Sequence, residues 1–276
     1  MLEPTAENYE TRAWFKARQG NTIGALADYG KVIDLKPTAG NYWTRGCYRQ
    51  NRGDLDGAIA DFNLAVDLES TNASLFRQRS MARPANGKFD DALADCDKAV
   101  NLGPKDNSSR YYRGLVREAI GDLQGAAEDL LSGQELFSDA PGEIPKDDFR
   151  IPLGIVRLRQ GKKDEAAATF SGFEQRSENT NSFGIAPQVA RLFLNKISEA
   201  EFLDSLPSTN ALSTSLQQCW RWYYVGKKRL LAEDTKGAAE AFQKSIDAET
   251  HGTDWYPQPE VALARAELNS LRKKPN

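Results

Sequence analysis

The chain has 276 residues, 36 of them Lys or Arg against 39 Asp or Glu, for a net charge of −3. That balance excludes the global positive field that would gather nucleic acid or an anionic membrane surface. Apolar runs such as Leu153–Val156 are too short to span a bilayer, and Met1–Glu7 lacks the apolar core of a signal peptide. The expected location is cytoplasmic, or periplasmic and envelope-associated if a targeting segment has been removed. Cys47, Cys96 and Cys219 are odd in number, widely spaced and without a C-x-x-C, so small buried thiols are expected.

Taken in chain order, one sentence of sequence recurs. It is written from Gly20 to Tyr29, from Gly53 to Phe62, from Gly87 to Cys96 and from Gly121 to Leu130. Each copy is a turn leading into a helix. In the second copy Ala58, Phe62 and Ala65 place a small-large-small stripe along one helical face. Aligning on the turn glycine gives repeats at 6–38, 39–72, 73–106 and 107–140. A Pro- and Gly-rich insertion, Ser138–Pro145, then precedes a fifth repeat at 147–177, with Gly161, Ala166 and Phe170 in register. Residues 182–206 keep the two-helix rhythm but lose the diagnostic Ala and Gly, a degenerate sixth unit. A seventh, 219–248, carries Trp222, Gly226, Ala238 and Phe242. After a loop at 251–259, Glu260 to Lys273 is predicted to form an amphipathic helix with Val261, Ala264, Leu268 and Leu271 on one side. Such a helix caps the exposed apolar end of a repeat array.

A period of 33 to 34 residues is the length of a tetratricopeptide repeat, a helix–turn–helix unit. The chain resembles that family along nearly its whole length. Gly46, Ala58, Phe62 and Ala65 match in the second repeat, and Pro37 and Pro104 stand at the closing positions. The resemblance implies an all-α fold, a right-handed α-solenoid of about seven helix pairs with a C-terminal capping helix. Its first helices would line a concave groove for a partner's peptide or helix. The last repeat and capping helix also resemble bacterial envelope adaptor lipoproteins of the NlpI kind.

Two prolines depart from the repeat pattern. Pro84 falls late in the first helix of the third repeat, where it removes a donor and crowds the carbonyl of Ser80, so that helix is predicted to end near Ala82. The alternative is a deliberately reshaped groove wall. Pro152 is predicted to sit in the first turn of its helix, where the cost is small.

Catalytic chemistry finds almost nothing to use. The single histidine, His251, has no partner at nucleophile or metal spacing, and the glycines recur at the repeat period rather than as a phosphate loop. Asp90–Asp91 and Asp147–Asp148 stand at helix starts, where negative charge is favoured. The expected protein is not an enzyme and needs no cofactor or metal. Counting each first helix by the family's groove-facing offsets puts Trp14, Trp43, Arg77, Met81 and Tyr111 in the groove, joined in the last repeat by Trp220, Tyr223 and Tyr224. Aromatic and Arg side chains dominate binding hot spots. The expected function is a non-catalytic adaptor or scaffold, with self-assembly through the solenoid ends as the alternative. The clamp that co-chaperone members use for a terminal carboxylate is missing: those slots hold Glu10, Trp14, Thr44, Ser74 and Gln78.

Two ladders complete the reading. Lys16, Arg49, Arg83, Arg117, Arg157 and Arg229 share one repeat position. They could serve nucleic acid, but the acidic balance favours side chains that lay their stems over the helix seam and keep their charges in water. Arg12, Arg45, Arg79 and Arg113 accompany Asp28, Asp61, Asp95 and Asp129, and the fifth and seventh repeats have lost both members together. That joint pattern predicts a guanidinium–carboxylate pair, either within a repeat or from one Asp to the next repeat's Arg.

Overall fold

A computed structural model describes residues 5–137, 144–146, 148–173, 185–205, 211–249 and 259–273. Expectations on His251 and on residues 138–143 lie outside them. The described chain is all-α. Its helices pair as α1 (Ala6–Arg18) with α2 (Thr22–Leu35), α3 (Ala39–Asn51) with α4 (Leu55–Leu68), α5 (Ala73–Ala82) with α6 (Phe89–Leu102), and α7 (Asn107–Ile120) with α8 (Leu123–Glu135). The later pairs are α9 (Arg150–Arg159) with α10 (Lys163–Ser171), the short α11 (Ala186–Phe193) with α12 (Glu199–Asp204), and α13 (Ala211–Leu231) with α14 (Thr235–Glu249). Last comes α15 (Pro259–Lys273). No helix among the described residues is long and apolar enough to cross a membrane.

Local chemistry explains the pairing. Side chains of Thr5, Thr38, Asn72 and Asp106 accept backbone N–H bonds at the starts of α1, α3, α5 and α7, and Asn21, Asp54 and Asp122 do the same for α2, α4 and α8. These bonds satisfy donors that every helix start leaves open. The turn between α3 and α4 runs through Gly53 at φ 78°, in the left-handed region glycine enters without cost. The last pair turns instead through Glu233 at φ 61°. Helices within a pair approach closely: a Cβ at Gly46 would lie 2.7 Å from the Phe62 ring. Phe62, Phe170 and Phe242 are fully buried at equivalent places, and Cys96 fills that slot in the third pair.

α5 ends at Ala82 and the chain passes into a single 3-10 turn, Pro84–Asn86. Pro152 lies in the first turn of α9. Cys47, Cys96 and Cys219 are free and buried, and burial pushes the Cys96 thiol up to about 12.

Helix α15 covers α14, as a terminal cap does, and then continues to places far back in the chain. It packs on the 3-10 turn and on α5, and Arg265 reaches the Gly53 turn. Val261, Leu263, Ala264 and Leu268 share one apolar cluster with Met81 of α5, Leu115 of α7 and Tyr223 of α13. The solenoid thus curls until α7 and α13 meet, with α15 inside the curl.

Candidate protein-interaction surface

The Arg–Asp ladder forms within each of the first four helix pairs and ties their two helices together. Asp61 accepts from Arg45 Nε at 3.0 Å and Nη2 at 2.7 Å, a two-point contact repeated by Arg12–Asp28, Arg79–Asp95 and Arg113–Asp129. The alternative register, from one Asp to the next repeat's Arg, is not the one formed. The link between neighbouring pairs uses the third guanidinium nitrogen: Arg79 Nη1 donates to Asn63 and Arg113 Nη1 to Asp97.

The second basic ladder departs from its expected solvated state. Arg49, Arg83 and Arg117 each donate Nη1 to the same carboxylate that the first Arg holds, at 2.9, 2.5 and 2.8 Å, and Lys16 reaches Asp28 at 2.7 Å. Arg157 finds Thr169, and Arg229 finds Glu199 and the carbonyl of Gly237. The physical reason is the buried Asp, which needs more than one donor. Arg45 and Arg49 are four apart, so both face the seam.

The eight residues expected in the groove divide into two groups. On α1, α3 and α5, Trp14 is 39% exposed and lies edge-on to Phe15 at 5.0 Å, with the Arg18 guanidinium 4.7 Å from its ring. Trp43 is half-buried against two core clusters. Arg77 is half-buried and donates to Asp106 at 2.8 Å. Neither Trp14 nor Trp43 belongs to the apolar cluster that α15 completes.

The remaining five are covered from within the chain. Met81, Trp220 and Tyr223 are buried, and Tyr111 and Tyr224 are half-buried. Met81, Tyr111, Tyr223 and Tyr224 pack in the cluster that α15 completes. Trp220 belongs to a different core, with Val189, Phe193 and Phe202 of α11 and α12. Packing against α15, and against α11 and α12, takes up these side chains within the chain. Among the clamp slots, Gln78 is buried and donates to Gln50 at 3.4 Å.

Closure rests on a buried charge cluster. Lys227 Nζ donates to both oxygens of Glu118 at 2.7 Å and to Glu267 of α15 at 2.9 Å, and Arg159 also donates to Glu118. Burial pushes the Glu118 carboxyl up, but Lys227 and Arg159 outweigh it and hold it below its usual value. Burial likewise lowers Lys227, and Glu118 with Glu267 more than reverses the effect. Nearby, a cavity of about 20 Å³ is lined by Tyr111, Glu118, Tyr223, Tyr224, Lys227 and Glu260.

Residues 79–141 match the family model of the tetratricopeptide repeat. Over that stretch the chain carries tetratricopeptide repeats. Solved structures agree on the fold of this solenoid. A tetratricopeptide repeat protein from Parabacteroides merdae aligns with 97% of this chain and 99% of its own at 16% identity and a TM-score of 0.55. MamA from Desulfovibrio magneticus RS-1, residues 41 to the end, aligns with 64% of this chain and all of its own at 19% identity and a TM-score of 0.52. A further MamA structure aligns with 62% and 90% at 22% identity and a TM-score of 0.50. No curated protein matches the chain significantly.

Proposed function

We propose that the solenoid is a non-catalytic interaction module whose open concave stretch, along α1, α3 and α5, binds a segment of another protein. The observation that carries this reading is Trp14, a large aromatic held at the surface by Phe15 and Arg18 instead of being folded into the core. Trp43 and Arg77 extend the same stretch, giving the aromatic and guanidinium chemistry of a binding hot spot. Among the described residues no group of three or more His, Cys, Asp and Glu could hold a metal. Four of the six members of the basic ladder are spent on buried Asp residues and Arg229 on Glu199, which leaves little charge for nucleic acid.

The test is comparative capture. Immobilised chain and its Trp14→Ala, Trp43→Ala variant are exposed to the same extract, with helicity checked by circular dichroism. Proteins recovered by the first and lost at least tenfold by the second are the expected partners. Equal recovery by a native-like variant rejects this surface. A second reading, self-association, is favoured by Ile23 and Phe15 on the first helix pair, 85% and 55% exposed. Light scattering over a concentration series separates the two: constant monomer mass speaks for the adaptor, rising mass for self-assembly.

A further inference from the structure

The covered half of the concave side shows what it accepts, because α15 lies in it. Val261, Ala264 and Leu268, spaced i, i+3 and i+7, meet Met81, Leu115 and Tyr223. Two polar ties fix the helix: Glu267 accepts from Lys227 at 2.9 Å, and Asn269 Nδ2 donates to the carbonyl of Ala85 at 2.8 Å.

The counter-charge of this seat is shared when its occupant is absent. Lys227 and Arg159 supply two cations, and the seat's own carboxylate between them is Glu118 alone. Lys227 is buried and shares Glu118 with the exposed Arg159, so a helix lying here completes its counter-charge by bringing a carboxylate to the place of Glu267. The opposite end of α15 fits less well. Glu260 lies near Tyr111, Tyr224, the indole of Trp220 and the carboxylate of Asp148. Burial first, and Asp148 in addition, push its carboxyl up to about 7, while the Trp220 hydrogen bond works against them. The chain's own helix therefore supplies one acidic group the seat needs and a second that it holds at a cost.

We propose that this seat is a receptor for an amphipathic helix of a partner protein, and that α15 is the internal stand-in which that helix displaces. The partner helix carries apolar residues at i, i+3 and i+7, a carboxylate immediately before the third, and an uncharged residue immediately before the first. This rests on the reading of the solenoid as an interaction module, but it uses the seat of α15 and not the stretch around Trp14 and Trp43.

A fluorescein-labelled peptide of residues 259–273 is the probe, read by anisotropy against the full chain. In the Leu268→Asp chain the internal helix is weakened and the seat is intact, and the peptide is expected to bind at least tenfold more tightly than to the native chain. Against that variant the Glu260→Gln peptide is expected to bind several-fold tighter than the native peptide, and the Glu267→Gln peptide at least tenfold weaker. If Leu268→Asp loses helicity, the Glu267→Gln chain, which loses only the tie to Lys227, takes its place with the same ordering expected. Equal binding of all three peptides, or no gain over the native chain, overturns the proposal. So does a native chain that sediments as a dimer and binds no peptide, because α15 would then be exchanged between copies. The probe is synthetic, so its result is independent of whether the Trp14 surface captures anything.

Discussion

At the scale of single residues, Asp61 carries more of the fold than its size suggests. Its carboxylate is 1% exposed and holds Arg45 and Arg49 together, while the Arg45 side chain is only 17% exposed. Removing one partner of a buried ion pair strands the others, at a cost of about 3–5 kcal/mol. Asp61→Ala is expected to lower stability by that amount in urea unfolding. Asp28→Ala should cost only about 1 kcal/mol, because Arg12 is 56% exposed and its guanidinium can return to water. A double-mutant cycle is expected to show strong coupling of Asp61 with Arg45 and coupling near zero with Arg79, whose carboxylate partner is Asp95. The first Arg of each cluster was legible because the pair is written four times and lost in step. The second was not, because a lysine or arginine at a helix seam reads equally well as a solvated cover.

At the scale of elements, α15 joins a helix that the sequence specifies to a position that it does not. Its apolar spacing and length are local properties, and so are the pairs α1 to α8, each with a turn glycine and, α6 apart, with capped second helices. The partners of α15 are not local. Asn269 meets Ala85 across 184 residues, and Lys227 meets Glu118 across 109. No repeat period encodes such contacts. One trace was visible: Pro84 ends α5 and leaves the 3-10 turn whose Ala85 carbonyl Asn269 takes. The docking of α15 should depend on pH through Glu260. Its folded-state pKa of about 7 lies above the ordinary 4.5, so its contribution is fully present below pH 4.5 and is lost as pH rises through 7. At about 1.4 kcal/mol per unit, reduced because the side chain is only half-buried, the loss is roughly 1–3 kcal/mol. The phenols of Tyr111, Tyr223 and Tyr224 are pushed well up and stay neutral, leaving Asp148 as the charged neighbour that raises Glu260. Glu260→Gln should remove that much of the stability difference between pH 5 and pH 8 in urea unfolding. An unchanged difference would show that Glu260 does not titrate in this range.

At the scale of the whole molecule, two kinds of cohesion are superposed. A repeat array is held by nearest-neighbour packing, so each pair stands on the next and the superhelix can flex as a spring. The Glu118–Lys227–Glu267 cluster adds a long-range closure, tying α7, α13 and α15 where the repeats alone would leave a groove. Tyr223 and Tyr224 pack in the cluster that α15 completes, while Trp220 sits in the separate core of α11 and α12. Lys227→Ala tests whether closure is separable from the array. It leaves Glu118 with Arg159 alone and Glu267 without its cation, which costs about 3–5 kcal/mol in a buried setting. Little of that cost should fall on the pairs from α1 to α6, whose contacts do not include the cluster. The expected result is nearly native helicity by circular dichroism, a larger radius of gyration by small-angle X-ray scattering, and faster amide exchange confined to α7, α13 and α15. A uniform rise in exchange along the chain would mean instead that the solenoid is one cooperative body, with closure part of its folding and not a separate state.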